Sequence, residues 1–147
     1  MKKIGFILSL FICMSVSTNI NAETKQSKPV NIVKTAEVNK PKLLAVKFYA
    51  DWCGTCKQLD PGLNKVISKF EDKPVLFVTM DLTDDFRTNQ SKMLANSLGF
   101  GKIFKENQGT GFVLLLDPVK FKVLGQIDPS QTPAEMIKKV DIAFSKV

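Results

Sequence analysis

Histidine is absent from this chain, tryptophan and tyrosine occur once each, and cysteine occurs three times. Three cysteines and no histidine cannot fill the four-ligand Cys/His sets of structural zinc sites. Three cysteines are also too few for a scaffold held by several disulfides. No apolar run reaches the roughly 20 residues that a comfortable membrane span needs, and no internal repeat is visible. The net charge of +7 comes from scattered lysines. No basic stripe with interleaved aromatics stands out, which argues against a nucleic-acid partner.

The N-terminus reads as a secretory signal over residues 1–22. Lys2 and Lys3 form a positive n-region, Ile4 to Val16 an apolar h-region and Thr18 to Ala22 a polar c-region. Cleavage after Ala22 is expected, with Ile20 larger than the usual small residue at the third position back; the alternative is an uncleaved membrane anchor. Cys13 lies inside the h-region after Ile12, which does not suit a lipid-attachment site, so it leaves with the signal. Lys2 and Lys3 account for two of the +7, leaving +5 on the mature chain. Export points to the bacterial cell envelope, most simply the periplasm. Residues 23–42 read as a polar, lysine-rich leader, within which Val30 to Val33 could form a short edge strand.

Removal of Cys13 leaves one pair of cysteines, Cys53 and Cys56, at x-x spacing. Leu43 to Tyr49 before them is a β-forming apolar run. Leu59, Leu63, Val66, Ile67 and Phe70 after them recur at helical spacing. The pair therefore stands at a strand-to-helix turn, with Cys53 at or near the helix start. Unpaired N–H groups and the positive end of the helix dipole favour a thiolate there, below the free-thiol value of about 8.5. Cys56, one turn deeper, is placed to attack a mixed disulfide formed at Cys53. This is a dithiol redox site in outline.

The segment Phe48-Tyr49-Ala50-Asp51-Trp52-Cys53-Gly54-Thr55-Cys56-Lys57, with Pro61 beyond it, resembles the active-site stretch of thioredoxins. The resemblance covers Leu43 to the C-terminus and implies a thioredoxin-like domain over residues 43–147. The implied fold is a three-layer α/β fold, a mixed central sheet with flanking helices. It assigns catalysis to Cys53 and Cys56, with Trp52 as a lid beside Cys53. Gly54 and Thr55 lie between the cysteines, Lys57 follows them and Pro61 kinks the helix. No cofactor is expected.

Beyond the cysteines, a strand over 75–80 is followed by an acidic loop, Asp81 to Asp85. A short helix over 89–98 is expected to bury Met93, Leu94 and Leu98, and Met80 and Met93 are read as core. Residues 100–111 read as loop. Strands follow over 112–116 and 121–127. Thr132-Pro133-Ala134-Glu135 has capping-box spacing before a last helix carrying Met136, Ile137, Val140 and Phe144 on one face.

Two positions depart from the family pattern. Gly111 stands where thioredoxins carry a cis-proline against the dithiol, and Thr110 inherits the place whose backbone pairs with substrate. Lys47 stands where the family has a buried acid that assists the second cysteine. The expected role of Lys47 is a side chain snorkelling to solvent or paired with an acid such as Asp81; if it pointed under the dithiol, its charge would favour thiolate. Asp51 reads as a turn or N-cap residue.

These features predict an exported thiol–disulfide oxidoreductase acting on disulfide- or thiol-bearing proteins. The Gly54-Thr55 dipeptide resembles reducing relatives, so a reductase fed by a redox partner, such as a membrane electron donor, is the expected form. The alternative class is a soft-metal protein, because two thiolates at this spacing suit Cu(I). A binding module with a vestigial dithiol is disfavoured by the intact Trp-Cys-Gly-Thr-Cys-Lys, and Lys57 after Cys56 excludes a haem-attachment signal.

Overall fold

Strand β1 (Leu43–Tyr49) is paired on both edges and, Lys47 aside, apolar on both faces because helices cover both. The computed structural model describes residues 40–147. The proposed signal, Cys13 and the suggested Val30 to Val33 strand lie outside the described residues. β1 pairs in parallel with β2 (Val75–Asp81) and antiparallel with β3 (Phe112–Leu116), which pairs antiparallel with β4 (Val123–Ile127). The sheet order is β2-β1-β3-β4.

Alternate residues of β1 feed two cores, as the period of two requires. Leu43 and Ala45 pack with Leu59, Leu63 and Val66 of helix α1 (Gly54–Lys69) and with Met136 and Val140 of helix α4 (Pro133–Phe144). Leu44, Val46 and Phe48 pack on the other face, against Ala95 of α2 (Asp85–Ser97) and Ile103 and Phe104 of α3 (Gly101–Glu106). Phe48 stacks on Phe112 at 4.9 Å between ring centroids and on Phe104 at 6.1 Å. The result is the mixed sheet with helices on both sides that the sequence predicts. No helix among the described residues is long and apolar enough to cross a membrane.

Several local expectations are corrected. α2 starts at Asp85, four residues early, because Asp84 caps it: the Arg87 N–H donates to Asp84 Oδ1 at 2.8 Å. The acidic run is thus a strand end plus a helix start. Met93 and Leu94 point outward, Met93 being 70% exposed, while Ser91 and Ala95 face the sheet. Ser91 fills a core position because its hydroxyl bonds both the N–H and the C=O of Asp81. Within the expected loop after residue 100, Gly101–Glu106 forms α3, which hides Ile103 and Phe104 within a lysine-rich surface. β4 starts at Val123 because Phe121 adopts φ 50°, laying its ring over Gly99. α1 ends at Lys69, and Phe70, the last residue of the apolar helical pattern, is its C-cap. The capping box is present as read, with Thr132 and Glu135 each bonding the other's backbone N–H.

The β3–β4 connection turns on Asp117, whose buried carboxylate accepts from the N–H groups of Val119 and Lys120 at 2.8 and 2.9 Å. The N–H groups of Lys120 and Val119 hold this carboxyl below its ordinary value of 3.8. A depressed folded-state value adds stability above 3.8, and that contribution disappears as pH falls through the lower folded value. In thermal melts from about pH 5 down to about pH 2, Asp117→Asn should therefore lose less stability than the wild type. Parallel curves for the two proteins would remove Asp117 from the acid response.

Candidate redox site

The two cysteines are held by the change from strand to helix. β1 ends at Tyr49, the Cys53 N–H closes a turn onto the Ala50 carbonyl at 3.1 Å, and α1 begins at Gly54. Cys53 is the N-cap of α1, and its Sγ accepts the Cys56 N–H at 3.0 Å. A helix start thus aims a backbone donor and its dipole at this sulfur, which is where negative charge is best tolerated. Cys53 and Cys56 are joined by a disulfide, with Cα atoms 5.3 Å apart. Cys56 is fully buried and Cys53 nearly so. Cys56 Sγ lies 3.8 Å from the carbonyl oxygen of Phe48, an acceptor for its S–H once the bond is reduced.

The turn before Cys53 is tied to the loop between β2 and α2. The Asp51 N–H donates to Thr83 Oγ1 at 2.9 Å and the Trp52 indole N–H to the Thr83 carbonyl at 3.1 Å. Thr83 is itself fixed by Asp81, which accepts from its N–H at 2.9 Å and from its hydroxyl. Asp51 accepts from the Tyr49 hydroxyl and from Arg87 Nη1, both at 2.9 Å. Those two donors, Tyr49 first, hold the Asp51 carboxyl below its ordinary value, and Asp51 in turn raises the Tyr49 hydroxyl. Asp51 is therefore an ionised turn residue, and the N-cap is Cys53. Trp52, pinned through its indole N–H, is 67% exposed.

Gly54 and Thr55 form the exposed first residues of α1, Lys57 is exposed on its outer side, and Pro61 lies inside the helix. Gly111 comes in from the far side. Its φ is +91°, and its N–H donates to the Phe48 carbonyl at 2.8 Å, a bond no proline can make. A Cβ at Gly111 would stand 2.8 Å from Thr55 Cβ and Cγ2 and 3.5 Å from Cys53 Sγ. Gly111 thus borders the disulfide, and the residue before it, Thr110, is half-buried.

Lys47 pairs with Asp60, where Asp81 was the suggested acid, and its ammonium also lies 4.7 Å from the Tyr49 ring centroid. Asp60, Thr83 and Arg87 were not singled out from sequence. Arg87 carried a signal in being the chain's only arginine, and Asp60 one in its spacing of four from Cys56. Among the described residues no three His, Cys, Asp or Glu side chains gather as a metal site, and nothing in this geometry favours the Cu(I) alternative.

The chain is similar to known redox proteins. Residues 23–108 match the thioredoxin family profile, a span that ends before Thr110 and Gly111. Protein disulfide isomerase-like 1-1 of Arabidopsis thaliana is 34% identical over 85 residues, 54% of this chain and 17% of that protein. The chloroplastic F-type thioredoxin of Pisum sativum is 27% identical over 124 residues, 73% of this chain and 64% of that one. Among solved structures, oxidised mitochondrial thioredoxin 3 of Saccharomyces cerevisiae shares 25% identity, covering 69% of this chain and 78% of that one, with a TM-score of 0.44. The matched part is less than a fifth of the length of the plant disulfide isomerase. A profile match over more than half of the residues, spanning the Cys53–Cys56 pair at the start of α1, makes this chain a member of the thioredoxin family.

Proposed function

We propose that the chain is an exported thiol–disulfide oxidoreductase that reduces protein disulfides in the cell envelope. The observation that carries the chemistry is Cys53 capping α1, with the Cys56 N–H aimed at its sulfur and Cys56 within bonding reach. In the reduced state Cys53 thiolate attacks a substrate disulfide, forming a Cys53–substrate bond and releasing one substrate thiolate. Cys56 then attacks Cys53 Sγ, forming the Cys53–Cys56 bond and releasing the second thiolate. Two electrons pass to the substrate, and a thiol-bearing redox partner returns them.

Substrate backbone is taken up beside Thr110 and Gly111, under the exposed Trp52. Support for export rests on the N-terminal pattern of residues 1–22, and support for the reducing direction on Gly54-Thr55 between the cysteines.

Titration of the Cys53–Cys56 couple against glutathione tests the direction. A reductase is expected near the thioredoxin potential of about −270 mV, whereas about −120 mV belongs to a disulfide donor. A value at the oxidising end would reverse the proposed direction, and the lack of any reversible couple would remove the redox reading.

A further inference from the structure

Resolution by Cys56 requires its thiol to lose a proton, and Cys56 is fully buried. The Phe48 carbonyl 3.8 Å away can orient the S–H but cannot take the proton. A base must be reachable from inside. Asp60 is four residues after Cys56 on α1, so the two side chains share one helix face with Cβ atoms about 5–6 Å apart. Helical side chains lean toward the N-terminus, which tips the Asp60 carboxylate back toward the Cys56 turn.

β1 sets the other wall. Lys47 stands on the same strand face as Leu43 and Ala45, which pack on α1. Its ammonium binds Asp60 Oδ1, with side chains 16% and 38% exposed respectively. A cavity of about 360 Å³ is lined by Lys47, Asp60, Asn64 and Thr79, among others. Its volume admits several waters, so Asp60 can exchange protons with solvent.

The charged and titratable groups around Asp60 are few. β1 offers Lys47 and Tyr49, and the turn offers Asp51. α1 adds Lys57, β2 adds Asp81, and β3 sets only Val113 opposite Lys47. Asp51 is engaged by Tyr49 and Arg87, and Asp81 by Thr83 and Arg87. Asp60 is the carboxylate on the Cys56 helix face.

We propose that Asp60, held in place by Lys47, is the general base that receives the Cys56 proton while Cys56 resolves the mixed disulfide. This rests on the oxidoreductase reading above. The proton moves from Cys56 Sγ to the Asp60 carboxylate as the Cys56–Cys53 bond forms and the Cys53–substrate bond breaks. It then passes through the cavity to solvent or to the released thiolate. Lys47 is a positioning residue. A carboxylate delivered by α1 thus faces a cation delivered by the strand.

Stopped-flow reaction of the reduced full chain with one equivalent of 5,5′-dithiobis(2-nitrobenzoate) separates the steps, in a Cys13→Ser background so that only two thiols report. The first thionitrobenzoate marks attack by Cys53 and the second marks resolution by Cys56. Asp60→Asn should leave the first phase unchanged and slow the second by at least about tenfold near pH 6.5, a modest share of what general-base catalysis supplies. The gap should close above about pH 9, past the free-thiol value of about 8.5, where Cys56 ionises unaided. Asp60→Glu should restore the second phase to within about threefold, as a conservative carboxylate would.

Lys47→Met/Asp60→Asn removes both charges together, avoiding an unpaired half-buried ammonium, and should show the same slow second phase. A second phase within about twofold of wild type in both Asn-bearing variants would overturn the role of Asp60 while leaving the dithiol chemistry standing. Wild-type chain that never releases a second equivalent would overturn the oxidoreductase reading itself.

Discussion

Cys53→Ser is expected to abolish dithiothreitol-driven reduction of insulin, a loss on the order of 10³-fold or more, as for removal of any enzymatic nucleophile. The fold should survive. Serine is among the best N-cap residues, and its hydroxyl can accept the Cys56 N–H that Cys53 Sγ accepts at 3.0 Å. Denaturation should place this variant within about 1 kcal/mol of the reduced wild type. Against the oxidised wild type it also lacks a bond closing a very short loop, which costs about 2 kcal/mol in the chain-entropy account.

Cys56→Ser should behave differently. Cys53 would still attack, but nothing would resolve the product, so disulfide-linked adducts should accumulate and disappear on reduction. The asymmetry follows from placement: Cys53 borders the Gly111 side of the site, whereas Cys56 lies beneath it against the Phe48 carbonyl. Full activity in Cys53→Ser, or only unconjugated Cys56→Ser protein from cells, would reverse the assignment of nucleophile and resolving thiol.

What the sequence made readable was local and periodic. β1 is seven consecutive residues of strand-forming character, and its limits, Leu43 and Tyr49, came directly from them. The capping box at Thr132 and Glu135 is a four-residue signal that needs no tertiary information. Legibility failed where a distant surface decides. Met93 looks like core in one dimension, yet the α2 face that meets the sheet carries Ser91 and Ala95, because Ser91 satisfies the end of β2. α3 was hidden because two buried side chains, Ile103 and Phe104, do not make a period within lysines. In the site, the cysteine pair was plain from its spacing and flanks. The Asp51–Tyr49–Arg87 cluster and the Lys47–Asp60 pair join residues 13 to 36 positions apart across elements, or depend on such a link. No window of sequence shows such pairs.

Gly111→Pro should destabilise the protein by about 3 kcal/mol or more, although it restores the residue most characteristic of the family at this place. Three costs combine. Proline fixes φ near −65°, whereas Gly111 sits at +91°. The Gly111 N–H that donates to the Phe48 carbonyl at 2.8 Å would be lost. Any Cβ at this position meets Thr55 at 2.8 Å. Gly111→Ala isolates part of the sum: it keeps the N–H but carries the penalty of a left-handed backbone, about 1–2 kcal/mol, plus the Thr55 contact. Adding Thr55→Gly should relieve the contact and leave the backbone penalty, so the double mutant should be less stable than Thr55→Gly alone by about 1–2 kcal/mol.

Activity should fall with Gly111→Pro as well, because the same displacement moves Thr110 and the border of Cys53. Urea denaturation of the four variants, with insulin reduction alongside, reads both effects. If Gly111→Pro matched or exceeded the wild type in stability and activity, the loop in solution would hold negative φ at residue 111. Gly54-Thr55 and Gly111 would then be independent changes rather than a matched set. The expected loss means that the threonine between the cysteines and a side chain at residue 111 compete for one space, so Gly111 cannot revert to the family proline alone.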